Sequence, residues 1–202
     1  MLRTIVVHVL RLSLVQISMS IRKTMDQAAI KFFSASQFAV AGASSDRNKF
    51  GYKSMAERHT ASTRTSANIR LCLVFVWYLQ HSLPATPLNP RCSSVTVGKK
   101  EYPTLSSPSQ LPSPKDTSLS VITPPKITLG LLKEAKEAGI PAVWLQPGAF
   151  DDEVLAYAKE AFPGAAVAGF EGGTVGGEGW CVLVDGENSL EAAGKEIKRT
   201  RL

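Results

Sequence analysis

The chain has 202 residues, 44% of them hydrophobic, which is enough for one domain with a sizeable core. Its formal net charge of +6 would favour a nucleic-acid partner only if the basic residues clustered on the folded surface. Instead, Arg3, Arg11, Arg22 and Lys23 at the N-terminus, with Arg58, Arg64 and Arg70 against Glu57 in residues 54–73, account for the whole excess, and the remaining 16 basic and 16 acidic residues balance. No nucleic-acid partner is therefore expected for the folded part.

Residues 1–24 are apolar, dotted with arginine and free of acid, as in a mitochondrial transit peptide; a non-native leader upstream of a start at Met25 fits equally well. His8 and Arg11 interrupt the apolar run, so no span of about 20 residues is available to cross a bilayer, and no membrane partner is expected. Met25–Phe33 has the spacing of a short amphipathic helix, which places a leader and helix in residues 1–32 and the main domain in residues 33–202. Cys72, Cys92 and Cys181 are too few and too scattered for a zinc ribbon, a CxxC motif or a disulfide framework, so a reducing compartment is expected, cytoplasmic or alternatively mitochondrial. His8, His59 and His81 show no metal-ligand spacing, and no metal site is expected.

From Phe38 onward, apolar strands alternate with helical patterns, which predicts an α/β fold: three layers with a mostly parallel sheet. Strands are expected at Phe38–Ala43, Ala85–Leu88, Ser118–Ile122, Ala142–Leu145, Ala165–Ala168 and Cys181–Val184. Ile127, Leu131, Ala135 and Ala138 fall on one helical face, and Val154, Ala158 and Ala161 on another, with Asp151 or Asp152 placed to cap the second helix. The proline- and serine-rich run Tyr102–Asp116 reads as a surface loop, and Gly172, Gly173, Gly176, Gly177 and Gly179 mark a second loop. Residues 54–73 break the pattern: rich in serine, threonine and arginine, they lack a sustained helical period and read as an insertion, such as translated intron sequence. Removing them joins Gly51–Lys53 to Val74–His81, a helix able to pack Phe75, Val76 and Leu79 against the sheet.

The first strand runs into a turn, Gly42-Ala43-Ser44, followed by Lys49-Phe50-Gly51. A glycine free to take left-handed angles, small polar residues and a lysine before a helix together make a phosphate cradle. A nicotinamide dinucleotide would call for GxGxxG and an acid at the end of the second strand, but that strand ends in Leu88-Asn89-Pro90-Arg91. The GxxxxGK[ST] of a P-loop is missing too.

Gly42-Ala43-Ser44 and Lys49-Phe50-Gly51, followed by Asn89-Pro90-Arg91, Tyr102-Pro103, Thr123-Pro124-Pro125 and Trp144-Leu145-Gln146-Pro147-Gly148-Ala149, resemble the motif series of small stand-alone CoA-binding domain proteins. That family is in turn similar to the Rossmann-type CoA-binding domain of the succinyl-CoA synthetase alpha subunit, and the resemblance covers about residues 33–185. It implies coenzyme A or an acyl-CoA as the small-molecule partner, bound at the carboxyl ends of the strands. It implies that Gly42, Ala43 and Ser44 face the diphosphate with Lys49, beside Phe50 and Gly51. Asn89, Pro90 and Arg91 would border the adenosine or its 3′-phosphate, with Arg91 suited to bidentate phosphate contact. Thr123, Pro124 and Pro125 would shape the pantetheine channel, and Gln146, Pro147 and Gly148 would close the thiol end.

A cradle supplies neither nucleophile nor base, and the chain offers no acid–base pair, so no catalytic residues are expected. The synthetase's second domain, with its phosphorylatable histidine, has no counterpart after Asp185, where only a short Glu/Lys/Arg-rich helix follows. Cys181 opens an apparent buried strand and reads as core. Two alternatives remain: an NAD(P)-binding oxidoreductase-like protein with an unusual fingerprint, or a partner-dependent subunit of an acyl-CoA ligase.

Overall fold

The run Gln37–Ala41 forms strand β1, with Phe38, Ala39, Val40 and Ala41 all buried, because a strand covered on both faces needs no polar alternation. A computed structural model describes residues 24–44, 73–170, 179–200 and 202. Helix α1 (24–33) precedes β1 and buries Ala28, Ala29, Phe32 and Phe33. After β1 come α2 (Leu73–Gln80), β2 (Ala85–Leu88) and a hairpin of β3 (Ser94–Val97) and β4 (Lys100–Pro103). They are followed by β5 (Thr117–Val121), α3 (Pro125–Glu137), β6 (Val143–Leu145), α4 (Asp152–Ala161), β7 (Ala166–Val167) and α5 (Val182–Ala192). Most of the expected insertion, residues 54–72, lies outside the described residues, as do Lys49, Phe50, Gly51 and glycines 172–177 of the expected second loop.

Five strands make one parallel sheet in the order β2-β1-β5-β6-β7, with Phe38 opposite Ala85 on one side and Ser118 on the other. This is a Rossmann-like α/β architecture. The chain crosses from β1 outward to β2 through α2, and in the opposite direction from β5 to β6 and β7 through α3 and α4; parallel crossovers are right-handed as a rule, so connections that run in opposite directions put their helices on opposite faces. The two sets of helices therefore cover opposite faces. On one face α3 packs on α4, where the Lys136 ammonium donates to the Ala161 carbonyl at 2.7 Å. On the other, α2 packs on α5 and α1 joins them: Phe33 meets Trp77 and Trp144, with ring centroids 5.9 and 5.8 Å apart, and the Ser118 hydroxyl donates to the Phe32 carbonyl at 2.8 Å. A Cβ at Gly186 would sit 2.5 Å from the Trp77 ring, so α5 reaches α2 at this closeness only through glycine.

Three expectations need correction. Cys181–Val184 is not a strand: its apolar, β-branched composition is overridden by tertiary contacts, and helix α5 begins at Val182. The Val182 amide donates to Gln146 Oε1 at 3.0 Å, and the Cys181 amide donates to the Asp185 carboxylate at 2.9 Å, so two amides at the helix start are satisfied by side chains. Cys181 is accordingly a half-buried N-cap rather than a strand residue of the core. Second, the loop expected from Tyr102 begins inside a hairpin, since Val95 pairs with Tyr102 and Thr96 with Glu101. Gly98, at φ 60, supplies the positive angle that the favoured two-residue hairpin turns require, and Val95 and Val97 face inward. Third, the buried side of α3 is Thr128, Leu132 and Ala135, whereas Ile127 is 46% exposed. Thr128 fixes that rotation, because its hydroxyl lies 2.9 Å from the Thr123 carbonyl and 3.1 Å from that of Pro124.

Candidate functional site

Counting only the parallel strands, the sheet order is 2-1-3-4-5, and the connections change direction between β1 and β5. In an open α/β sheet the crevice outside the carboxyl ends at this switch point is where ligands bind. Gly42, Ala43 and Ser44 leave β1 there, and Ile122, Thr123 and Pro124 leave β5 beside them. Gly42 has φ 91, an angle strained for any L side chain, and its amide donates to the Leu88 carbonyl at 2.9 Å. A Cβ on it would lie 3.0 Å from Thr123 Cγ2 and 3.2 Å from the Thr123 backbone nitrogen. Glycine at this point lets the two turns close on each other.

Asn89, at the end of β2, is buried and ties the cluster together. Its Nδ2 donates to the Ala43 carbonyl at 2.7 Å, and its Oδ1 accepts from the Arg91 amide at 2.9 Å. Both ends of the amide thus serve the protein itself, so Asn89 positions the loop after β1, while Pro90 and Arg91 stand exposed at the rim. Ser44 is buried within the same group.

Gln146 follows β6 one strand further along the edge. It is 4% exposed, its Nε2 donates to Ser120 Oγ at 3.3 Å, and its Oε1 takes the Val182 amide. Its side chain holds β5, β6 and the start of α5 in register rather than projecting outward. Pro147 is half-buried and Gly148 exposed at φ 87, in a turn closed by the Ala149 amide donating to the Gln146 carbonyl at 2.9 Å. Of the residues expected in the site, then, Gly42, Ala43, Asn89 and Thr123 are brought together by direct contact. Ser44, Pro124, Pro125, Pro90 and Arg91 adjoin them in sequence, and Gln146–Gly148 lie at the next strand end.

Sequence reading missed Lys126, which is exposed in the first turn of α3, directly after Thr123-Pro124-Pro125. Proline occupies the cap and the first helical position, no side chain caps the amides, and the first turn carries no acid. A lysine beside the positive end of a helix dipole is mildly unfavourable for the helix and favourable for an anion placed there. The signal was legible: a basic residue in the first turn after a Pro-Pro that starts a helix.

Among titratable groups near this edge, Tyr78 is fully buried on α2. Burial pushes its pKa well above the ordinary phenol value, and Ser120 lies close enough to offset part of the rise without reaching hydrogen-bonding geometry. It stays a neutral phenol near neutral pH and supplies neither acid nor base. Among the described residues no three His, Cys, Asp or Glu side chains converge as metal ligands, and no helix is long and apolar enough to cross a membrane.

The chain is similar to several solved structures. A conserved hypothetical protein from Pyrococcus furiosus shares 25% identity over 62% of this chain and 86% of its own, with a TM-score of 0.43. A protein from Thermus thermophilus shares 26% over 67% and 85%, with a TM-score of 0.43, and a hypothetical protein from Pyrococcus horikoshii OT3 shares 19% over 68% and 80%, with a TM-score of 0.49. No curated protein matches the chain. Residues 72–172, half of the chain, match the sequence profile of a family described as CoA binding domain. The matched span contains Asn89–Arg91, Thr123–Pro125, Lys126 and Gln146–Gly148, and begins after the loop that follows β1. The chain belongs to this CoA-binding domain family.

Proposed function

We propose that the chain binds coenzyme A or an acyl-CoA at the β1/β5 switch point, as a binding module without catalytic machinery of its own. The observation that carries this reading is the family match over residues 72–172, whose Thr123 packs directly on the loop at Gly42. The residues fit the ligand's chemistry. A diphosphate needs close backbone approach and positive charge, which Gly42 at φ 91, the start of α3 and the exposed Lys126 offer side by side. In this reading Gly42, Ala43 and Ser44 cradle the diphosphate, with Lys49, Phe50 and Gly51 completing the loop. Arg91 meets the 3′-phosphate, Thr123, Pro124 and Pro125 line the pantetheine path, and Pro147 and Gly148 border the thiol end. Asn89 and Gln146 act from behind, by holding the turns that make these contacts. This reading assigns no catalytic residue: the polar side chains it uses at the described strand ends are hydroxyls, carboxamides and cations.

Calorimetric titration of CoA, dephospho-CoA and NADH into the full chain tests this. The reading expects CoA to bind, and to bind more tightly than dephospho-CoA because of Arg91. NADH binding without CoA binding would move the protein to nicotinamide chemistry and end this proposal.

A further inference from the structure

Phe170 stands just past the carboxyl end of β7 and is 62% exposed, more than any other large hydrophobic side chain among the described residues. The backbone behind it fixes its place. The Trp180 amide donates to the Gly169 carbonyl at 3.1 Å, and a Cβ at Gly179 would lie 2.9 Å from that carbonyl oxygen and 3.1 Å from Phe170 Cδ1. The ring therefore packs on a stretch of chain that only glycine can bring so close. Phe150 supports it from the neighbouring strand: it lies in the segment after β6, is half-buried against the core, and its ring centroid is 5.4 Å from that of Phe170. Together the two rings form an apolar platform across the ends of β6 and β7, with the Phe170 side left open to water.

In the CoA reading proposed above, the parts of the ligand take up the strand ends in their order across the sheet. Arg91 after β2 meets the 3′-phosphate, Gly42–Ser44 after β1 the diphosphate, Thr123–Pro125 after β5 the pantetheine, and Pro147 and Gly148 after β6 the thiol. The next strand in that order is β7, about 4.8 Å beyond β6, and Phe170 stands at its end. We infer, resting on that reading, that the Phe150–Phe170 platform is an acyl subsite and that the chain prefers acyl-CoA thioesters with an apolar, uncharged acyl group over free CoA. Between the thiol end and the platform stands Gly148, exposed and without a side chain to block the path. Charge narrows the acyl class further. Asp151, Asp152 and Glu153 follow Phe150 directly and are exposed at the start of α4, so an acyl group ending in a carboxylate would meet charge of its own sign.

Calorimetric titration of CoA, octanoyl-CoA and succinyl-CoA into the full chain and its Phe170→Ser variant tests the inference. A methylene taken out of water is worth about fourfold in affinity, so octanoyl-CoA with two or more methylenes on the rings should bind the wild type at least about tenfold more tightly than CoA. Succinyl-CoA should bind no more tightly than CoA. In Phe170→Ser most of the octanoyl advantage should vanish while CoA binds as it does to the wild type. Equal wild-type affinities for CoA and octanoyl-CoA, an advantage that Phe170→Ser leaves intact, or succinyl-CoA binding more tightly than octanoyl-CoA would each overturn the apolar subsite and leave the CoA reading standing. Failure of all three ligands to bind the wild type would overturn the CoA reading itself, and the subsite with it.

Discussion

Helices α3 and α4 lie on the same face of the sheet and each begins at a strand's carboxyl end, yet their N-termini are built in opposite ways. At α4 the Asp151 side chain accepts the Val154 amide at 3.0 Å, and Asp152 and Glu153 follow in the first turn, so its positive end is satisfied by the protein itself. At α3 proline stands at the cap and the first position, no side chain takes an amide, and the charge in the first turn is Lys126. On the proposed reading, the difference separates a helix start that serves the fold from one left open to an external anion. In that reading the anion would lie beside Gly42, at the switch point of the sheet.

The largest expected effect is at the α3 side of this comparison. Gly42→Val forces a β-branched residue to φ 91 against the Thr123 backbone. Denaturant unfolding should show a loss of at least about 1–3 kcal/mol from backbone strain, and CoA retention should disappear. Full retention of both stability and CoA would remove Gly42 from the site. Asn89→Ala follows: it leaves the buried Ala43 carbonyl without its donor, which costs about 1–3 kcal/mol. Because Asn89 positions the loop, CoA affinity should fall with it; an affinity equal to the wild type at a temperature where the variant is folded would separate Asn89 from the loop's geometry.

On the α4 side, Asp151→Ala should cost about 1 kcal/mol of stability through the lost cap and leave CoA binding unchanged. Weakened CoA binding there would mean that the two helix starts do not divide their roles as described. The smallest effect concerns pH. The bonds from His81 and then Arg199 lower the pKa of Glu187 in the folded chain. Its stabilising contribution is therefore complete above the unfolded carboxyl value of about 4.3 and is lost as pH falls through the lower folded value. Acid unfolding followed by circular dichroism should accordingly begin at higher pH in Arg199→Ala than in the wild type, and coincident curves would count against the Glu187 assignment.

Much of the fold was legible because strands of a buried parallel sheet are largely apolar runs: the expected segments at Phe38, Ala85, Ser118, Ala142 and Ala165 each overlap an observed strand. The capping aspartate and the inward face Val154, Ala158 and Ala161 of α4 were equally plain, since they depend on local chemistry and helical spacing alone. What failed depends on distant partners. Cys181–Val184 has the composition of a strand, and the contact that takes the Val182 amide at the helix start comes from the carboxamide oxygen of Gln146, 36 residues away. The β3/β4 hairpin was hidden because charged Lys100 and Glu101 face solvent at the sheet's margin and prolines follow. In the site, residue types identified the strand ends but not side-chain direction. Asn89 and Gln146 look like ligand contacts in sequence, yet both amides are turned inward, whereas Lys126 stands exposed at the start of α3.

The measurement that bears most directly on the central claim is a calorimetric titration of CoA into Lys126→Glu beside the wild type, with thermal unfolding of both. An acid in the first turn of α3 suits the helix dipole, so the variant should be as stable or gain about 0.3–1 kcal/mol, while removing a charge-assisted phosphate contact should weaken CoA by about tenfold or more. Binding lost while stability is kept is the result expected of an anion site. Equal CoA affinity in the two proteins, or none in either, would contradict the placement of the ligand's phosphates at the start of α3.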